Sequence, residues 1–121
     1  MSFIPPFILR RLYVKGSLTN VESGFQFTLT NSLGDATLVK PLSLAVDEQP
    51  LDPARVKLLS EGKVIPNSEI SETNPVDFRV NSSATIVVEG LRLQPGEHRI
   101  VISSSARGYG DIRFEIKDVV K

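Results

Sequence analysis

His98 is the only histidine among the 121 residues, so acid–base chemistry near neutral pH has one natural candidate. It shares strand parity with Ile100 and Ile102, which turns its ring toward the apolar face at the start of that strand. A partly desolvated imidazole placed there has the reach of a general base. The simpler reading is a rim histidine hydrogen-bonded to a neighbouring strand or loop. Ser103, Ser104 and Ser105 offer hydroxyls for a Ser-His-Asp arrangement, yet no Gly-x-Ser-x-Gly turn sharpens any of them into a nucleophile. No catalytic residue is assigned.

Arg107-Gly108-Tyr109-Gly110 is the one dense glycine site, and it joins two strands instead of opening a helix, so it is no phosphate cradle. Arg107 and Tyr109 have the chemistry to present a guanidinium and a ring to a sugar or a protein. Two glycines around a tyrosine are also what a tight β-connection needs.

The chain contains no cysteine, which removes disulfides, thiolate nucleophiles and Cys-ligated zinc together. With one histidine, a metal site would have to be built from carboxylates. These are scattered, and Asp47-Glu48 falls in a predicted hairpin turn where acidic residues are common for conformational reasons. Neither a metal nor a cofactor is expected. Fourteen Lys and Arg balance fourteen Asp and Glu, so the basic excess of a nucleic-acid binder is missing. Arg10, Arg11 and Lys15 form the densest basic group and read as a solvated strand face.

Most of the six phenylalanines fall on buried parity; Phe3 and Phe7, flanking Ile4-Pro5-Pro6, do not. They mark residues 1–9 as an apolar arm that packs on this domain or on a partner. Pro5 and Pro6 break that stretch, no basic segment precedes it, and nothing approaches the length of a membrane-spanning helix. A cytoplasmic chain without a signal peptide or membrane segment is therefore expected.

Period-two alternation supplies the elements that would position these groups. Phe25, Phe27 and Leu29 alternate with Gln26, Thr28 and Thr30; Val76, Phe78 and Val80 with Asp77 and Arg79; Ile112, Phe114 and Ile116 with Asp111, Arg113, Glu115 and Lys117. One face is inward and one wet, the habit of antiparallel sheets. Leu12 and Val14 share a face. So do Leu38, Leu42, Leu44 and Val46, interrupted at Lys40-Pro41 by a sheet edge, bulge or crossing. Val56–Leu59 and Ile86–Val88 are short enough to be strands buried on both faces. Asp52-Pro53-Ala54-Arg55 predicts one capped helical turn. Residues 61–75 read as a long surface connection, suited to a Greek-key crossover. The pattern predicts a single all-β domain over residues 1–121: an antiparallel β-sandwich, immunoglobulin-like or jelly-roll-like, with about eight to ten short strands.

Two stretches carry a family resemblance. Val14-Lys15-Gly16-Ser17-Leu18-Thr19-Asn20 runs into Gly24-Phe25-Gln26-Phe27, and Leu93-Gln94-Pro95-Gly96-Glu97-His98-Arg99-Ile100 precedes Gly108-Tyr109-Gly110 and a last strand ending in Asp118. In order and spacing they resemble the small β subunits of bacterial C-glycoside deglycosidases and their archaeal relatives of unassigned role. The resemblance implies a β-sandwich subunit that accompanies a larger, metal-dependent barrel subunit holding the chemistry. Short archaeal proteins of this appearance also carry the names of isoprenoid-pathway enzymes, but 121 residues cannot make such a reductase unaided.

The expected function is a non-catalytic accessory or interaction subunit that assembles with a larger enzyme or with itself, without nucleic acid or membrane. The alternative is a small-molecule or carbohydrate-binding module. Its surface would combine the 61–74 segment with Arg107, Tyr109 and His98, while Phe3 and Phe7 face a partner.

Overall fold

Pro5 and Pro6 set the first event in the chain, because proline is pre-shaped for the first turn of a helix. The computed structural model describes residues 4–121; Phe3 lies outside the described residues. A short helix, α1 (Pro6–Leu9), runs into a 3₁₀ turn, Arg10–Leu12. The expected strand through Leu12 and Val14 is therefore corrected. Leu12 is buried from the turn and Val14 is 38% exposed. Only Tyr13 keeps a strand-like bridge, to Leu29.

Eleven strands follow: β1 (Thr19–Val21), β2 (Gly24–Thr30), β3 (Ala36–Leu38), β4 (Ser43–Val46), β5 (Gln49–Pro50), β6 (Val56–Ser60), β7 (Lys63–Pro66), β8 (Val76–Phe78), β9 (Ser83–Glu89), β10 (Gly96–Ala106) and β11 (Gly110–Val120). They form two antiparallel sheets. The first has the order β1-β2-β9-β6-β7. In the second, β10 carries β11 along one edge, while β4 and β3 lie in succession along the other, flanked by β5 and β8. The break at Lys40-Pro41 separates β3 from β4 on that shared edge. The count exceeds eight to ten because β5 and β7 are short and weakly patterned.

One core lies between the sheets, with Phe25, Phe27, Leu58 and Ile86 from the first and Ile100, Ile102, Phe114 and Ile116 from the second. Alternation in β2 and β11 matches this directly. Val87, between Gln26 and Lys57 across the ladders, is buried on the outer face, as a short apolar run in a central strand allows. Val80 departs from the pattern. The strand stops at Phe78, Asn81 turns the chain at φ 68°, and Val80 is 44% exposed.

The 61–75 connection also needs correction. Glu61-Gly62 makes a two-residue hairpin turn with φ 51° and 77°, and β7 pairs with β6 as the edge of the first sheet. A 3₁₀ turn at Asn67–Glu69 then leads across to β8 in the second sheet, so the segment is a crossover that carries its own strand. Asn67 is fully buried there. It accepts from the Leu42 N–H at 2.8 Å and donates to the Leu42 carbonyl at 2.9 Å and the Pro53 carbonyl at 3.2 Å. Asp52 caps the Pro53–Arg55 turn through the Ala54 N–H, as its position predicts.

The N-terminal segment closes the opposite side of the sandwich. α1 packs on the edge strand β11, where Arg10 Nε donates to the Glu115 carbonyl at 3.0 Å. Four residues later the Val14 N–H bonds to the Thr28 carbonyl, on β2 of the other sheet. The otherwise unpaired backbone of β11 is thus covered.

Candidate functional site

His98 occupies the third position of β10, directly opposite Asp118 of β11. Its parity faces inward, as expected, but at the rim, with its side chain 12% exposed. The β4–β5 hairpin brings Asp47 to it. Asp47 and Glu48 are the two central residues of that turn, with φ 49° and 73°, the primed geometry that suits the strand twist. The Asp47 carboxylate accepts from His98 Nδ1 at 2.6 Å and from the Arg99 N–H at 2.9 Å. His98 Nε2 lies 2.6 Å from the Gln94 carbonyl. A carboxylate and a carbonyl only accept, so both ring nitrogens face acceptors, an arrangement that favours the imidazolium over the neutral ring. The Gln94 carbonyl first, and the Asp47 hydrogen bond next, raise the His98 pKa above its ordinary value. Asp47 is held below the ordinary carboxylate range by the Arg99 N–H and by His98. A protonated ring with both nitrogens engaged has no free lone pair to act as a base.

Asp118 spends its carboxylate differently. Oδ2 accepts from the Tyr13 hydroxyl at 2.5 Å and the Gly16 N–H at 2.7 Å, and Oδ1 from the Val119 N–H at 2.7 Å. Burial pushes its pKa up, but the bonds from Tyr13, Val119 and Gly16, with the Lys15 charge, outweigh it and hold the group ionised and low. Tyr13 is pushed up to about 12, by burial and then by its bond to Asp118. The pair pins the 13–16 turn to the end of β11.

Arg107 and Tyr109 sit at the other end. Ala106 lies eight positions beyond His98 along β10, about 26 Å of extended chain, so the structure does not bring His98 together with Tyr109. Arg107, in contrast, reaches the 71–74 turn, its Nη2 3.4 Å from the Glu72 carbonyl. The connection Arg107-Gly108-Tyr109 closes Ala106 onto Gly110, with Gly108 and Gly110 at positive φ. Tyr109 also lines a cavity of about 300 Å³ between α1, β3, β8 and the β10–β11 turn. Ile4 and Ile8 form its wall on the arm, and Leu38, Phe78 and Ile112 its wall on the second sheet. Phe7, on the outer side of α1, is 67% exposed.

The sequence reading missed Asp47, Tyr13 and Asp118 as partners, because hydrogen bonds across 51 or 105 positions leave no local signature, and it missed the Gln94 carbonyl, a backbone group that side-chain patterns do not mark. It also missed the cavity, whose walls come from four separate segments of the chain. Among the described residues, no three His, Asp or Glu side chains gather as a metal site, and no buried side-chain polar atom lacks a partner. No helix is long and apolar enough to cross a membrane.

Among solved structures, a family 123 glycoside hydrolase from Clostridium perfringens, described in work on glycolipid glycan hydrolysis, is similar at a TM-score of 0.36 and 12% identity. The similarity covers 85% of this chain and 23% of the hydrolase, so the chain spans less than a quarter of that relative's length. No curated protein sequence matches the chain. Residues 8–121 match the family model described as hydroxymethylglutaryl-CoA reductase, N-terminal domain, and the chain belongs to that family.

Proposed function

We propose that this chain is a non-catalytic accessory or interaction subunit that works in the cytoplasm, assembled with a larger enzyme. The observation that carries the reading is the contrast between its polar and apolar groups. His98, Asp47, Tyr13 and Asp118 spend their hydrogen bonds on holding turns to strands. Phe7 meanwhile stands 67% exposed on α1, more than any other large apolar side chain among the described residues. A ring of that size held in water on a short helix suits a partner's pocket better than an isolated domain. The family's description, hydroxymethylglutaryl-CoA reductase, N-terminal domain, fits a domain that works beside a larger catalytic body. The resemblance to small β subunits of C-glycoside deglycosidases supports a barrel enzyme in that place.

The test is purification of the tagged chain from its own cells at native expression, with reductase and glycosidase assays on the bound fraction. An identified enzyme whose activity falls when the chain is removed, and whose retention falls at least tenfold with Phe7→Ser, supports the proposal. A chain recovered alone and monomeric overturns it.

A further inference from the structure

The cavity beside Tyr109 differs in kind from the rim around His98. Its walls are almost wholly hydrocarbon, and the polar side chains that touch it are largely committed elsewhere. Asn31, 2% exposed, donates to the Gly34 and Phe78 carbonyls and accepts from the Leu33 and Gly34 N–H groups. Asp35 accepts from the Val80 N–H at 2.8 Å. A charged or strongly hydrogen-bonding group brought inside would lose its water and find little in return.

Size and shape narrow the occupant further. At about 300 Å³ the cavity has twice the volume of the ~150 Å³ apolar cavity that stays dry and takes up benzene, and it reaches the lower bound for ligand sites. A second, separate void of about 40 Å³ is lined in part by the same Leu12, Leu38, Phe78 and Ile112, together with Leu58 and Phe114 of the core. The exposed Leu33, Asp35 and Tyr109 line one side of the cavity and the buried Leu9, Leu12 and Leu38 another, so it reaches from the surface to the core. Among the described residues, Tyr109, 37% exposed, contributes the only hydroxyl of the lining.

We infer that this cavity binds a small uncharged amphiphile, its single alkyl chain lying between the sheets and its hydroxyl or carbonyl end at Tyr109. The site is independent of the accessory-subunit reading, since all its walls come from one chain.

The test titrates the full chain with straight-chain primary alcohols from hexanol to dodecanol, by calorimetry and by methyl NMR. Saturable one-to-one binding is expected, strengthening about fourfold per methylene until the space is filled. Methyl shifts should be confined to Ile8, Leu38, Ile112 and their neighbours. Ala36→Leu and Ala106→Leu, which fill the space, should each weaken dodecanol binding at least tenfold. If either fails to fold, the wild-type methyl map decides. No saturation, shifts spread over the surface, or binding unchanged in a folded filled variant overturns the inference. So does uptake of glucose in preference to the alcohols.

Discussion

His98 and Asp118 face each other across the β10–β11 ladder, yet each bonds to a different part of the chain. His98 turns to Asp47 in the β4–β5 hairpin, and Asp118 to Tyr13 and Gly16 in the turn before β1. Each then ties down a turn from a separate region. The end of the sandwich is thereby fastened by two polar contacts where the apolar core runs out.

The first contact makes stability depend on pH in a defined direction. His98 has a folded pKa above 6.5, raised by the Gln94 carbonyl and Asp47, so its contribution is complete below 6.5 and lost as pH rises through the folded value. Asp47 has a folded pKa below 3.8, lowered by the Arg99 N–H and His98; its contribution holds above 3.8 and is lost as pH falls through the folded value. Both are present between those limits. Urea midpoints should therefore be higher at pH 5.5 than at pH 8.5. In His98→Asn that difference should shrink by at least half.

The buried Asn67 should be among the costliest polar positions to replace. Asn67→Leu strands the Leu42 N–H and two carbonyls away from water, a loss of about 3 kcal/mol or more. Asn67→Asp keeps the acceptor and removes the donor, and should also lose about 2 kcal/mol or more. Urea unfolding with an unchanged m-value would measure both. A loss under 0.5 kcal/mol in Asn67→Leu would show that the clasp is dispensable.

Two backbone positions should respond with opposite sign. Glu48 holds φ 73° in the β4–β5 turn, where glycine is unstrained, so Glu48→Gly should stabilise by about 1 kcal/mol. Gly24 backs onto β9 so closely that a Cβ would fall on the Val88 carbonyl oxygen. Gly24→Ala must displace backbone and should lower the melting temperature by several degrees, about 2 kcal/mol or more. Paired thermal melts of the two variants check both signs.

Legibility in the sequence followed the range of the interaction. Phe25, Phe27 and Leu29 declared their inward face because a strand's period is read from neighbours alone, and the same holds for Ile112, Phe114 and Ile116. Asp52 capping Ala54 is a contact across two positions. Leu12 and Val14 misled because a spacing of two fits a strand and also a turn that ends between them. The Val64-Ile65 pair was too short to announce β7. At the site, the parity of His98 was readable, but Asp47 approaches only through the pairing of β4 with β10. The eleven positions between His98 and Tyr109 suggested one surface; an extended strand turned them into opposite ends.

The covering of β11 by the N-terminal segment has a consequence for the order of assembly. The bonds from Arg10 to Glu115, from Tyr13 to Asp118 and from Gly16 to Asp118 span 105, 105 and 102 positions. The 4–16 segment cannot dock until β11 is in place, and until then Leu9 and Leu12 have no completed wall to enter. Such distant closures are slow, because loop entropy is lost before any contact repays it. Docking of the 4–12 segment against β11 is thus a late closure of the fold, and changes that weaken it should slow the last step of folding.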